Sequence, residues 1–329
     1  MPEKLRVPKW DNLKLFLILC VVVGHVIEIF IDESWVYRAL FTFIYSFHMP
    51  AFIFISGLFS KRTVDTNSIK KVLPYITLYF AVKILLFVFR ACCTGETYAT
   101  FLSEAGLPWF MLSLFFMYVI TMYTKRFKPQ WVLVGSVLLS VFAGYAIQSG
   151  GDFLAVLRTI NFYPFFYLGY KLNPDELAEK LDKRKAKIAS AVFIAVFAAV
   201  CFVFTDEVYK FRNLLTGRNP YDSYLGLLRL ALFAISTAVI FAFISLTPSK
   251  RSVFTTFGSR TLAVYCTHYC FIYILFDLFD LKGALAGAIP SAWHFVLIAV
   301  AGLITLVCSN KWFAKGFGFL MDYKIKLKK

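Results

Sequence analysis

The chain has 329 residues, of which 60% are hydrophobic, 19% aromatic and only 16% charged, with a formal net charge of +16. A mean hydropathy of +0.70 cannot clothe a water-soluble surface, so lipid must solvate most of the chain. Intrinsic disorder, a collagen-like or disulfide-rich secreted module and a nucleic-acid-binding domain are excluded on the same grounds, despite the positive charge.

Apolar runs fall at 13–31, 39–59, 70–90, 108–124, 130–148, 154–171, 187–205, 223–246, 260–279 and 291–310, each bounded by charged or turn-forming residues. A membrane helix takes roughly 20 apolar residues, so ten of them use about 200 and leave about 130 for loops and tails. The expectation is an all-α, polytopic membrane helix bundle of about ten transmembrane helices, forming one domain over 1–329 with no separate soluble domain. The first run follows Lys4, Arg6 and Lys9 in the manner of a signal sequence, but no small-residue cleavage site comes after it, so it is read as retained. The segment 172–186 is charged and reads as a short amphipathic helix, and 206–222 as an outside loop; neither is a domain.

The basic residues set the direction. With the N-terminus in the cytoplasm, 26 of the 35 Lys and Arg residues fall on the cytoplasmic side, 6 fall outside, and Lys83, Arg158 and Arg229 lie within spans. Twenty-six against six predicts both termini in the cytoplasm. The charge therefore orients the chain and meets anionic lipid, and nucleic acid need not be a partner.

Seven cysteines lie mostly within helices and none forms a Cys-x-x-Cys pair, which reads as small core residues. Cys266 and Cys270 flank His268 on one helix face, but two thiols and one imidazole make a weak metal case, and no metal site is predicted.

An ionisable side chain in a spanning helix costs on the order of several kcal/mol unless it faces a partner or a wet cavity. Counted at 1.5 Å per residue from the inner boundary of each span, His25 lies at roughly 16 Å, His48 and Arg158 at roughly 20 Å, Lys83 at roughly 18 Å and His268 at roughly 12 Å. Three histidines and two cations thus share a central layer. A helix-bridging hydrogen bond is the plainer account of His48 and His268, and snorkelling that of Lys83. His25 stands out because Glu28 follows one helical turn later, and a carboxylate there can orient an imidazole and stabilise its protonated form. A buried pair that only joins helices is the alternative. Gly24 beside it lets another helix or a ligand approach closely.

The opening Trp10-Asp11-Asn12-Leu13-Lys14, followed by an apolar run to Val23-Gly24-His25, resembles the start of the acyltransferase family 3 membrane proteins. Within that family the fucose 4-O-acetylase-like branch is the most similar. The resemblance continues through Phe47-His48-Met49-Pro50 to Gly57, Pro108-Trp109-Phe110-Met111-Leu112, Pro164 to Tyr170, and Gly258-Ser259-Arg260 to Tyr265-Cys266-Thr267-His268, in one order along nearly the whole chain. Lys14, eleven positions before His25, stands where many members carry arginine, which keeps a charge but loses the planar fork.

The resemblance implies a multi-pass enzyme of the bacterial plasma (inner) membrane. It would move an acetyl or other short acyl group from acetyl-CoA to a hydroxyl of a cell-envelope carbohydrate such as a polysaccharide. His25 is implied as the catalytic general base, with Glu28 holding the imidazole. Lys83, Arg158, His48 and Tyr265 are candidate donors to the thioester oxyanion. Lys14, Lys61 and Arg62 are candidates for the anionic part of CoA, with Asp11 and Asn12 in the same opening motif; topology alone accounts equally well for Lys61 and Arg62. Trp109 and His268 come from matching blocks, Trp109 as a ring that stacks a sugar or simply fills the core. The rival reading is a proton-coupled transporter or flippase for a sugar-linked substrate, with Pro50 and Pro164 interrupting the second and sixth spans under either reading. Homo-oligomerisation, the acceptor and the acyl length are left open.

Overall fold

The computed structural model describes residues 8–98, 100, 102–104, 106–146, 152–217, 225–288 and 293–322, without the side chains of 225, 293 and 294. Lys4, Arg6, Arg218, Lys324, Lys326, Lys328 and Lys329, and the predicted span ends at 147–148, 223–224 and 291–292, lie outside the described residues. Among the described residues the chain is helical throughout, apart from one isolated bridge between Ser103 and Phe153.

Helix α1 (Pro8–Glu28) begins on a proline whose missing N–H is harmless in a first turn, where Asp11 also complements the helix dipole. Ser34 caps α2 (Trp35–Tyr45) by accepting from the Val36 amide at 3.2 Å. That helix stops because Pro50 cannot donate to the Ser46 carbonyl four residues earlier, and α3 (His48–Leu58) resumes the span. Helix α4 (Lys61–Asp65) leads into α5 (Leu73–Thr94), which ends at Gly95 in the left-handed region. Then come α6 (Trp109–Thr124), α7 (Pro129–Ala146) and α8 (Val156–Lys171), the last with Pro164 inside it.

Asn173 caps α9 (Pro174–Leu181), the short helix expected between spans, by accepting from Asp175 N–H at 2.9 Å. Helix α10 (Arg184–Val203) is followed by two short helices, α11 (Thr205–Tyr209) and α12 (Arg212–Thr216). The remaining elements are α13 (Leu225–Leu246), α14 (Thr255–Gly258), α15 (Thr261–Ile272) with a π-helical continuation over Tyr273–Leu278, α16 (Leu281–Ala288), α17 (Trp293–Cys308) and α18 (Lys311–Asp322).

Every predicted apolar run coincides with a helix or a helix pair. By length and apolarity seven of the described helices can cross a membrane, or eight if α17 and α18, bent by 60°, count as one. The two shortfalls against ten are α6 and α8, each of 16 residues, or about 24 Å, against a hydrocarbon core of about 30 Å. On α10 the exposed side chains of Ile188, Val192, Val196 and Val200 repeat every fourth residue, a stripe that lipid solvates and water would not.

Two glycines bring α3 and α8 together. A Cβ at Gly57 would lie 2.0 Å from the Phe166 carbonyl oxygen, and one at Gly169 2.1 Å from the Phe54 carbonyl oxygen. Such a crossing admits no side chain, and van der Waals contact between the two backbones replaces it. It fixes His48, at the start of α3, relative to Arg158, near the start of α8. At the opposite end of α1 from His25, Lys9 Nζ is buried and donates to Asp182 Oδ1 at 3.2 Å and to the Thr247 carbonyl at 3.0 Å. Asp182 also meets Lys187 at 2.8 Å and Ser249 Oγ at 2.9 Å. Burial alone would raise the Asp182 carboxyl, but Lys187, Ser249 and Lys9 outweigh it and hold it down at about 2.

Gly57→Ala should lower the thermal midpoint of the detergent-solubilised protein, by the equivalent of about 1–3 kcal/mol of overpacking, whereas Gly135→Ala, where a Cβ meets nothing within 4 Å, should leave it in place. Because the Asp182 carboxyl is depressed, its stabilisation is full above the ordinary carboxylate range near ~4 and is lost as the pH falls through about 2. Melting curves between those limits should therefore fall more steeply in the natural protein than in Asp182→Asn.

Candidate active site

A cavity of about 460 Å³ lies beside the Glu28 end of α1. Its walls include His25 and Glu28 of α1, Tyr45 of α2, His48 of α3, Trp109 of α6, Arg158 of α8, and Tyr265 and Tyr269 of α15, closed by residues of α11 and α12.

His25 Nδ1 lies 3.4 Å from Glu28 Oε2. The same carboxylate oxygen accepts from the Tyr45 hydroxyl at 2.7 Å, and that hydroxyl is 3.5 Å from His25 Nδ1. With Nδ1–H directed at the carboxylate, the tautomer assigned by this network leaves Nε2 as the basic atom. Gly24 makes the arrangement sterically possible, since a Cβ there would come within 3.0 Å of the Tyr45 ring. Tyr45 is held in turn by stacking on Phe41, with centroids 3.8 Å apart, and by the edge of His48 at 4.7 Å.

The other two histidines of the predicted layer differ from His25 in kind. His48 Nδ1 pairs with the Ile44 carbonyl at 2.8 Å, and His268 Nδ1 with the Val264 carbonyl at 2.8 Å. A carbonyl only accepts, so both rings carry their proton on Nδ1 and present an Nε2 lone pair. Neither meets a carboxylate at hydrogen-bond distance among the described residues. His48 borders the cavity; His268 does not, but its buried ring stacks on His25 with centroids 5.4 Å apart.

The predicted cations diverge. Arg158 is buried at the cavity wall, its guanidinium 4.8 Å from the Trp109 ring centroid and Nη2 4.0 Å from Asp152 Oδ1. Trp109 also stacks on Phe162 at 5.5 Å, so this ring belongs as much to the core as to the cavity. Lys83 is tied to Glu104 and to the Tyr79 hydroxyl, and lines an adjoining hollow of about 250 Å³ instead of the His25 cavity. Tyr265 lies on the cavity wall but donates its hydroxyl to the Leu107 carbonyl. Lys14 pairs with Asp11 at 2.7 Å. Asn12 donates to the Pro248 and Lys250 carbonyls at 2.9 and 3.0 Å and accepts from Thr255 Oγ1 at 2.7 Å, which secures the start of α1 to the loop before α14. Lys61 and Arg62 are exposed on α4. These basic residues and His25 are at opposite ends of the bundle; along α1, Lys14 and His25 are about 16 Å apart. Among the described residues no group of three or more His, Cys, Asp or Glu comes together.

Sequence reasoning missed Tyr45, Tyr209, Arg212, Asn213 and Tyr269. Tyr45 precedes His48 by three residues, a spacing that shares a helix face, but the break caused by Pro50 hides it. The residues of α11 and α12 sit in a segment read as a connecting loop. Its length, beyond what a plain helix connection needs, was the available signal.

Residues 7–309 match the family described as Acyltransferase domain (Acyl_transf_3). The chain is 24% identical over 286 residues to "Nodulation protein NolL" of Sinorhizobium fredii, covering 78% of this chain and 75% of that one. It is likewise 24% identical over 276 residues to "Nodulation protein NolL" of Mesorhizobium japonicum, covering 78% and 71%. No solved structure matches.

Proposed function

Because this chain belongs to the acyltransferase domain family, we propose that it moves an acetyl or similarly short acyl group from acetyl-CoA to a hydroxyl of a cell-envelope carbohydrate in a bacterial inner membrane. The opening motif favours the fucose 4-O-acetylase-like branch, and the distribution of Lys and Arg favours ten crossings with both termini in the cytoplasm. One observation carries the chemical reading: an imidazole on a cavity wall whose Nδ1 faces a carboxylate that a buried tyrosine also holds.

In this reading His25 Nε2 takes the proton of the acceptor hydroxyl as its oxygen attacks the thioester carbonyl. The tetrahedral intermediate collapses with cleavage of the C–S bond, and the coenzyme thiolate leaves and is protonated by the imidazolium. Products are the ester and free CoA, so protons and electron pairs balance. A positioned base of this kind contributes about 10²–10⁴ in rate. Glu28 stabilises the imidazolium, and Tyr45 fixes the carboxylate.

Of the four candidate oxyanion donors, Arg158 fits best. Lys83 is engaged elsewhere, the Tyr265 proton goes to a carbonyl, and neutral His48 presents a lone pair. Lys14 at the far end of α1 suits the anionic part of CoA, with the donor extended alongside the helix to bring its thioester to His25.

Purified protein or membranes should consume acetyl-CoA in the presence of a suitable glycan and place labelled acetyl on it. His25→Ala should abolish transfer while expression and melting temperature hold; full activity in that variant would move the base elsewhere, and movement of saccharide without a covalent product would mark a carrier instead. Tyr45→Phe should retain binding but lower kcat by about tenfold, the equivalent of ~1.4 kcal/mol for one lost hydrogen bond to a charged group, with the alkaline-side plateau of the pH–rate profile preserved. An unchanged kcat would separate Tyr45 from the Glu28–His25 pair.

A further inference from the structure

The charge on the cavity wall is uneven. Besides His25, its charged residues are Glu28, Arg158 and Arg212. Glu28 is engaged by Tyr45 and His25, and Arg158 is faced by Asp152 and Trp109. Arg212, on α12, meets the Tyr209 ring at 4.7 Å, and no carboxylate pairs with it among the described residues. This exposed guanidinium faces the same space as His25, and a planar fork of this kind takes a carboxylate or phosphate in two parallel hydrogen bonds.

The segment bearing Arg212 is a built wall. Arg229 of α13 donates to the Leu214 carbonyl at 2.6 Å, and Asn161 of α8 donates to the Gly217 carbonyl at 3.1 Å. Gly217 turns the chain at φ 62°, where a Cβ would come within 2.8 Å of Phe162. Arg38 of α2 meets Asp206 of α11 at 3.2 Å. From this wall Asn213 and Thr216 also border the cavity and supply neutral hydrogen-bonding groups, while Tyr209 and Trp109 supply flat apolar faces.

We propose that α11 and α12 form the acceptor-recognition element and that the acceptor is an acidic saccharide, its carboxylate or phosphate held by Arg212 while a hydroxyl of the same molecule lies at His25. The proposal deepens the acyl-transfer reading and rests on it for the role of the bound hydroxyl, whereas the binding preference is measurable without any transfer. The competing account of Arg212, a guanidinium reaching a lipid headgroup, predicts no saccharide discrimination.

The test uses the full-length protein in nanodiscs with three probes: an oligogalacturonate, its carboxyl-reduced neutral counterpart, and glucose 6-phosphate as the phosphate arm. Direct binding and acceptor KM are both read. The natural protein should bind at least one acidic probe about tenfold or more tightly than the neutral one, Arg212→Gln should erase that margin, and Arg212→Glu should reverse it, with neutral-probe affinity unchanged. Lys210→Gln, which removes the same charge two residues away from a side chain paired with Glu207, should keep the preference. Whichever acidic arm responds identifies the anion. Equal binding of acidic and neutral probes by the natural protein, or a preference that survives Arg212→Gln, overturns the proposal even if acetyl transfer to a neutral glycan is observed. An Arg212-dependent preference without transfer to any saccharide upholds the site and removes the acyl-transfer reading.

Discussion

In hydrocarbon a polar group that lacks a protein partner has nothing else to bond to, and this constraint orders the interior of the molecule. The Ser46 carbonyl, released by the break before α3, accepts from Ser236 Oγ at 2.5 Å. The hydroxyl of Tyr265 goes to a carbonyl, Lys83 to Glu104 and Tyr79, and the Nδ1 atoms of His48 and His268 to the carbonyls four residues back. Around one cavity stand His25 with its carboxylate, Arg158 and the exposed face of α12.

That convergence requires helices to approach more closely than side chains permit. Gly57 and Gly169 let α3 and α8 touch through their backbones, Gly258 brings α14 against the Asp11 carbonyl of α1, and Gly24 admits the Tyr45 ring. A small residue at each crossing costs little in a bilayer, where packing replaces the hydrophobic effect between helices. The same crossings set the distances among His25, His48 and Arg158, so the site is held by backbone contact instead of by a loop.

The molecule is polar at both ends for different reasons. Around Lys9, Asp182 and Asn12 the partners are matched and the cluster fastens the first helix to two loops. Around Arg212 no carboxylate pairs with the charge among the described residues, and the side chain borders a cavity. Matched charge is what a structural clasp needs, whereas a cation on a cavity wall is open to an anionic partner.

The sequence by itself determined the solvent, the helical class and the pairing of His25 with Glu28. Hydropathy is a property of composition, and a spacing of three residues fixes a shared helix face before any folding is considered. The depth count also brought His25, His48 and Arg158 to one level, because rise per residue is constant along a helix. Depth carries no information on azimuth, however, so it could not tell that Lys83 turns to Glu104 in a neighbouring hollow or that His268 lies behind His25. Only the tertiary structure decided those, together with Tyr45 as the residue that holds Glu28 and α12 as a cavity wall, because each depends on which helix faces meet across long stretches of chain.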